Sequence, residues 1–204
     1  MTRYAVDLLL DEAAAARAGR AVAAPLTVRL APGDALTLRG PNGSGKSSLL
    51  RAIAGVGGFS EGRAAIGGEA DARGRARLTH YIGHRPGARG SLTARETLAF
   101  HRAVLGGEAS IAAALERVGI AAEGDRPAGA LSAGQLRRLA LARLLVADRP
   151  VWLLDEPTAA LDAAGAALVA RMVAEHRADG GIAVVATHDA FEPEAAATAT
   201  LLAA

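Results

Sequence analysis

Apolar and polar residues alternate in two short segments near the start of the chain, LTVRL at 26–30 and ALTLRG at 35–40. Side chains of a strand point to its two faces in turn, so this period of two predicts a pair of strands. Pro32 and Gly33, in APGD between them, predict the turn that joins them. After residue 40 the period lengthens. KSSLLRAIAG, 46–55, spaces its leucines and isoleucine along one helical face and stops at Gly55. EGRAAIGGEA (61–70) and RLTHYIG (77–83) read as strands around a turn. From Thr93 to about Leu144 helical spacing takes over, in TARETLAFHRAVLG, SIAAALERVGI and SAGQLRRLALARLLV. VWLLD (151–155) and GIAVVATH (181–188) are instead unbroken apolar runs, the mark of strands buried on both faces. The helical stretch AAGAALVARMVAEHRAD lies between them. Strand, helix, strand at these lengths predicts parallel pairing through crossovers, hence an α/β fold with a separate helical middle.

Composition narrows the chemistry. The 204 residues suffice for one domain with a sizeable core. Formal net charge is only +2, with basic and acidic residues interspersed, so no basic stripe for nucleic acid is expected. There is no cysteine, which excludes disulfides, thiolate metal sites and covalent haem attachment. No apolar run approaches the roughly 20 residues that span a bilayer, and the first residues do not resemble a secretory signal. A soluble, cytoplasmic chain is the expectation. The sequence holds 23 basic residues, yet only Lys46 among them is lysine. Asn42 and Gln135 are likewise the only asparagine and glutamine. A chain this committed to arginine that keeps lysine at one position needs a compact ammonium there, which a planar guanidinium does not imitate.

Lys46 lies in GPNGSGKS, which matches G-x-x-x-x-G-K-[ST] between a predicted strand and a predicted helix. Glycines in such a loop let backbone N–H groups turn toward phosphates, and the helix start adds partial positive charge. Candidate nucleotide-binding residues are therefore Gly40, Pro41, Asn42, Gly43, Ser44, Gly45, Lys46, Ser47 and Ser48. Lys46 would reach the β- and γ-phosphates and Ser47 would ligate Mg2+. A second signal is VWLLDEP, where a buried strand ends in Asp155 and Glu156. Strand C-termini of a parallel sheet face the ligand crevice. Asp155 is placed to hold the metal and Glu156 to orient or deprotonate the attacking water. A GTPase would need an NKxD-type base reader. With its single lysine and single asparagine both in the phosphate loop, the chain has none.

The third signal is LSAGQ, 131–135, opening a helical run. With it, the chain resembles the ABC-type ATPases over essentially its whole length. The resemblance implies a P-loop fold of ABC type, with a mainly parallel sheet, an antiparallel β subdomain and a helical subdomain. One domain, 1–204, would comprise a nucleotide-binding core at about 1–84 and 148–204 and the helical subdomain at about 85–147. It implies an ATP-sandwich dimer in which Ser132, Gly134 and Gln135 of one chain grip the γ-phosphate bound by the other. Ala133 departs from the second glycine of the family pattern. Asp162, in TAALD, falls on the family's inter-subunit loop. His188 falls on its γ-phosphate-sensing histidine.

His84 takes the place of a glutamine that, in this family, approaches magnesium and the attacking water, ahead of a loop that meets the membrane partner. Imidazole can donate or accept a hydrogen bond, so His84 either does the glutamine's work or is a solvated loop residue. YIGHRPGARGSLTARETLAFH together with LSAGQLRRLALARL is similar to the ATP-binding subunits of cytochrome c maturation transporters, a haem-exporter branch. That likeness implies ATP and Mg2+ as cofactors, transmembrane subunits of that system as partners, and the cytoplasmic face of the bacterial inner membrane as location. It implies no direct haem binding by this chain. A soluble ABC ATPase without a transport role, or an exporter subunit for another cargo, are the alternatives. Many family members stack adenine on an aromatic residue 29 positions before the phosphate-loop lysine, and here that position is Arg17, whose guanidinium plane can stack on a base.

Overall fold

The computed structural model describes residues 2–188 and 193–202. Its strands in chain order are β1 (Leu8–Arg17), β2 (Arg20–Ala21), β3 (Leu26–Leu30), β4 (Ala35–Arg39), β5 (Gly58–Ile66), β6 (Thr79–Ile82), β7 (Val151–Asp155), β8 (Ile182–Ala186) and β9 (Ala197–Thr200). The α-helices are α1 (Lys46–Ile53), α2 (Ala72–Leu78), α3 (Ala94–Leu105), α4 (Ile111–Arg117), α5 (Ala133–Ala142) and α6 (Ala163–Ala178). The chain forms two compact units. The first is built from Met1–Tyr81, Arg149–Glu156 and Arg171–Ala204, the second from Ile82–Asp148 and Pro157–Ala170.

Two sheets organise the first unit. In the antiparallel one, β1 is bonded on one edge by β5 and on the other by β3 and β2. Leu8, Leu10 and Ala13–Ala15 of β1 are buried. The alternation breaks at Glu12, whose φ is 47° and whose N–H donates to Thr27 Oγ1 at 2.9 Å. Gly62 of β5 faces this bulge, and a Cβ there would lie 2.2 Å from the Asp11 and Glu12 carbonyl oxygens. A residue with a side chain does not fit, so the bulge needs its glycine. Helix α1 packs on this sheet through Leu49, Leu50 and Ile53, each 0–1% exposed and each stabilising the unit by about 2 kcal/mol.

The second sheet runs β6-β7-β8-β4-β9, with β7, β8, β4 and β9 mutually parallel. Every residue of β7 and β8 is buried, as unbroken apolar runs require. Register places the site. Asp155 lies beside Ala186, and Ala186 beside Leu38, so β7, β8 and β4 end level with one another. The chain therefore leaves β4 into the glycine-rich loop, β7 into Glu156 and β8 toward His188 at the same edge.

The second unit holds α3, α4 and α5, which touch pairwise. Leu98, Leu115 and Leu139 are 0–1% exposed. Both ends of α3 carry side-chain or glycine signals: a Thr93–Glu96 capping box and a left-handed Gly106 at φ 67°. Arg137, 3% exposed, donates to the carbonyls of Gly83 (3.0 Å) and His84 (2.6 Å), which pins the start of the 83–90 loop.

Several expected elements shift. RLTHYIG is not one strand: α2 runs through Leu78 and only Thr79–Ile82 is extended. Asp71 caps α2 by accepting from Arg73 and Gly74 N–H, and those two bonds hold its carboxyl below the usual range. The strand expected at 61–70 lies instead at Gly58–Ile66, and the one expected to end in His188 stops at Ala186. β1, β2 and β9 were not anticipated.

Candidate functional site

The glycine-rich loop owes its shape to left-handed backbone. Gly40, Gly43 and Gly45 have φ of 140°, 85° and 91°. A Cβ on Gly40 would sit 2.4 Å from the Leu201 carbonyl oxygen, and one on Gly45 would sit 2.8 Å from Ala23 Cβ. Pro41, Asn42 and Gly43 form the exposed rim, whereas Ser44 and Lys46 are buried. The loop wraps the Lys46 ammonium, which donates to Gly40 O (2.7 Å) and Pro41 O (3.1 Å). Helix α1 starts at Lys46 with Gly45 as its N-cap, and no side chain caps it. The N-terminal N–H groups of a helix need acceptors from outside. Ser47 and Ser48 lie in this first turn, half-buried.

Three buried oxygens at this end of the first unit have no hydrogen-bond partner among the described residues: Ser44 Oγ, Asp155 Oδ2 and Glu156 Oε2. Leaving such atoms unpaired costs about 1–3 kcal/mol each. Two carboxylate oxygens without donors, on adjacent residues at a strand end, fit a bound cation and a water. Asp155 is 2% exposed and shares its surroundings with Tyr81 and Arg51. Burial first, and then the Asp155 charge, push the Tyr81 phenol above its usual range, although the Arg51 contact opposes this. Sequence reasoning missed Tyr81 and Arg51. The signal was available in part, since Tyr81 is a polar aromatic in the strand that the sheet order places beside β7.

Glu156 adopts φ 49°, a region costing a residue with a side chain about 1–2 kcal/mol. Its N–H donates to Ala186 O at 2.8 Å, which keeps the kink tied to β8. The kink turns the side chain to His188, whose Nδ1 lies 2.7 Å from Glu156 Oε1. The Glu156 side chain is 11% exposed and the imidazole 60%. One carboxylate oxygen is thus fixed by the ring and the other left available. Backbone strain held by a strand pairing beside such a pair is characteristic of working sites. The first unit therefore brings residues 40–48, Asp155, Glu156 and His188 to one sheet edge.

Arg17 is exposed at the end of β1, directly opposite Arg20 of β2.

The remaining candidates belong to the second unit. Ser132 and Gln135 make a reciprocal capping box at the start of α5: Ser132 Oγ accepts from Gln135 N–H (3.2 Å), and Gln135 Oε1 accepts from Ser132 N–H (2.9 Å). Gln135 Nε2 also donates to Glu123 Oε1 at 2.9 Å. A Cβ on Gly134 would approach the Ala160 carbonyl oxygen to 3.0 Å, which ties the signature turn to the loop holding Asp162. Asp162 Oδ1 accepts from Gly165 N–H (2.8 Å), the cap position of α6, and lies 3.5 Å from Arg138. The His84 side chain is exposed, although its carbonyl is held by Arg137.

The ABC transporter family model matches residues 23–159. The cytochrome c biogenesis ATP-binding export protein CcmA of Rhodopseudomonas palustris (strain BisB5) is 49% identical over 174 residues, covering 84% of this chain and 86% of that one. CcmA of Cereibacter sphaeroides is 47% identical over 183 residues, covering 90% and 83%. Among solved structures, a putative ABC transporter ATP-binding protein from Pyrococcus furiosus superposes with a TM-score of 0.84 at 20% identity, over 97% of this chain and 100% of that one. A second, cbiO1 of Clostridium perfringens, part of the ABC transporter complex cbiONQ, gives 0.71 at 25% identity, over 89% and 78%.

Proposed function

The chain belongs to the ABC transporter ATP-binding family, and from that premise we propose that it hydrolyses ATP to drive an export step of cytochrome c biogenesis. The observation that carries the reading is the Glu156–His188 pair. One carboxylate oxygen is held at 2.7 Å by the ring, and the other is buried without a partner among the described residues. A general base needs this: an oriented carboxylate with one oxygen free to take a proton.

Binding begins at loop 40–48. Backbone N–H groups at the start of α1 receive the β- and γ-phosphates, and Lys46 exchanges its two carbonyl partners for phosphate oxygens. A magnesium ion would be held by the Ser47 hydroxyl and Asp155 Oδ2, and it supplies neutralisation of the charge on the phosphoryl group in flight. Glu156 Oε2 orients the attacking water and accepts its proton. His188 keeps Glu156 in that rotamer through Nδ1 and presents the rest of its exposed ring toward the γ-phosphate. Ser132, Gly134 and Gln135 of a second copy complete the site, and Asp162 steadies the loop behind them. His84, pinned through its carbonyl, offers its imidazole to link nucleotide state to the membrane partner.

The partners are the transmembrane subunits of the cytochrome c maturation system, with this chain docked on the cytoplasmic face of the bacterial inner membrane. Haem is handled by those partners and not by this chain, and hydrolysis drives release of a haem-loaded chaperone. Among the described residues no helix is long and apolar enough to cross a membrane, which is compatible with a peripheral subunit.

The test is turnover of the chain co-expressed with the membrane proteins of its own operon, wild type against Glu156→Gln. Loss of a general base predicts a fall of about 100-fold or more with nucleotide binding retained. Equal turnover without membrane partners would instead favour a soluble ABC ATPase. His84→Ala in the same complex tests the coupling role, which an unchanged rate would remove.

A further inference from the structure

Of the three arginines in α2, Arg73 and Arg77 are exposed, whereas Arg75 is 5% exposed. Burying a cation is costly unless hydrogen bonds satisfy it. Main-chain carbonyls do so here from three directions. Arg75 Nε donates to Ile53 O and Nη2 to Ala52 O, each at 3.1 Å, and these are the last two residues of α1. Nη1 donates to Ala64 O of β5 at 3.4 Å and to Ala70 O, just ahead of α2. The Phe59 ring of β5 lies 5.6 Å from the guanidinium carbon. Asp71, close by, already accepts from the N–H groups of Arg73 and Gly74, at 2.8 Å and 3.0 Å.

The rear of α1 is closed around this contact. Gly55, just past the helix, has φ 76°, and a Cβ there would collide with Ala72 O. The end of α1 and the start of α2 meet with no room between them, and one guanidinium ties α2 to both α1 and β5. The front of α1 is the reverse, with Gly45 as N-cap and no side-chain cap. The helix has eight residues, so its two ends are about 12 Å apart. A cation at the C-terminus and an anion at the N-terminus both favour the helix dipole.

We propose that Arg75 is a positioning residue for the nucleotide: by holding the rear of α1 to β5 and α2, it aims the first-turn N–H groups and the Ser47 hydroxyl at the phosphates. This rests on loop 40–48 being the phosphate site. The need for such a residue follows from the length of the helix. Leu49, Leu50 and Ile53 press α1 onto the sheet, but apolar contact is non-directional and leaves the axis free to tilt. Hydrogen bonds to carbonyls on two other elements fix that direction. The charge also lies where water screens it little, so it adds to the pull on an anion at the far end.

The test measures the full chain with Mg2+ and a fluorescent trinitrophenyl-ATP probe displaced by ATP, at a temperature where circular dichroism shows each variant folded. Arg75→Met keeps the reach of the side chain and removes its charge and donors, and its ATP dissociation constant should rise about 10-fold. Arg75→Lys keeps the charge and can still donate to the α1 carbonyls, so it should stay within about 3-fold of wild type. Val173→Ala truncates a buried residue of α6 and reports lost stability alone. Its melting temperature should fall while its ATP affinity stays within about 2-fold. In the complex co-expressed with its membrane proteins, Arg75→Met should raise KM for ATP and leave kcat within about 2-fold, because β7 and β8 place Asp155, Glu156 and His188. Wild-type affinity in Arg75→Met, an equal loss in Arg75→Lys, an equal loss in Val173→Ala, or a fall in kcat at unchanged KM would each overturn the proposal. Should Arg75→Met fail to fold, Arg75→Gln takes its place under the same criteria. If Lys46→Ala binds ATP as the wild type does, or the wild type binds none, the phosphate-site reading itself falls. Binding that depends on Lys46 but not on Arg75 would reduce Arg75 to a structural clamp and leave that reading intact.

Discussion

The starts of α1 and α5 are both assigned to phosphate, yet they are built in opposite ways. At α5 the chain supplies its own acceptors: the Ser132 hydroxyl takes the Gln135 N–H, and the Gln135 side chain takes the Ser132 N–H. At α1 the N-cap is Gly45, in a left-handed conformation with no side chain to offer. The leading N–H groups of any helix require partners. α5 satisfies one of them, the Gln135 N–H, with a side chain of its own, whereas α1 satisfies none in that way. On the proposed reading α1 is therefore the place where a free chain binds an anion, and among the described residues its neighbouring buried oxygens, Asp155 Oδ2 and Glu156 Oε2, are unpaired in the same sense. α5 is preorganised as a rigid face, suited to closing on a nucleotide already held elsewhere.

The largest effect that would break this contrast is at Lys46. Lys46→Ala removes the one ammonium in the loop, and charge-assisted bonds to two phosphate oxygens account for about 3 kcal/mol or more. Nucleotide affinity of the isolated chain should fall at least about 100-fold in equilibrium binding. A smaller loss would mean that the backbone at α1 does most of the holding.

Acid gives an effect of similar size confined to the first unit. His176 is 6% exposed, stacked on Trp152 with ring centroids 4.0 Å apart, and its Nε2 lies 3.2 Å from Pro150 O. Burial pushes its pKa down to about 4 from the ordinary 6.5. The folded ring stays neutral where the unfolded one takes a proton. This part of the stability is complete above pH 6.5 and lost as pH falls from 6.5 toward 4, up to about 3 kcal/mol. Trp152 is the only tryptophan, so its emission follows this unit during an acid titration. Because α1 takes its cap from the ligand, saturating nucleotide should move the acid midpoint downward. His176→Phe should flatten the titration between those pH values.

Local pattern made much of this legible, and non-local pairing hid the rest. The phosphate loop, β7, β8 and the caps of α3 and α5 are each specified by residues within a few positions of one another. β1 is not. Its run Ala13–Ala16 favours helix by intrinsic propensity, but β3 and β5 bond both its edges, and small side chains suit a strand in close contact with α1. β9 is ATAT, largely exposed at a sheet edge, with no buried alternation to read. α2 was obscured because three arginines occupy its seven residues. One of them, Arg75, is buried and donates to carbonyls at the end of α1 and before α2. Among the site residues, motif spacing pointed to Glu156 and His188 separately. Their contact depends on the register of β7 on β8 and on the φ of Glu156, neither of which a linear pattern encodes.

Glycine substitutions separate the two helix starts further. Gly45→Ala meets a left-handed φ and a contact of 2.8 Å with Ala23 Cβ. Strain of about 1–2 kcal/mol in the backbone and a comparable steric cost should deform the loop, lowering nucleotide affinity and melting temperature together. Gly134→Ala meets one carbonyl oxygen at 3.0 Å without an unfavourable φ, which calls for a shift of a few tenths of an ångström. Its melting temperature should fall less than that of Gly45→Ala. The reverse order would show that the signature turn, rather than the phosphate loop, is the more tightly constrained.

The smallest effect tests whether α5 is self-sufficient. Ser132→Ala deletes the acceptor for Gln135 N–H and leaves Gln135 Oε1 still bonded to the backbone of residue 132, so half of the capping box survives. Loss of such a cap costs about 1 kcal/mol of stability, read as a shift in the denaturant midpoint at constant slope. Ser132→Asp restores an acceptor and adds a charge favourable to the helix dipole, so its stability should return to that of the wild type or exceed it. The same carboxylate would repel a phosphate presented to α5 by a second chain. Stability recovered together with turnover lost in the assembled complex separates the two duties of Ser132. If turnover recovered with stability, α5 would be no more than a capped helix, and only α1 would remain as a phosphate site.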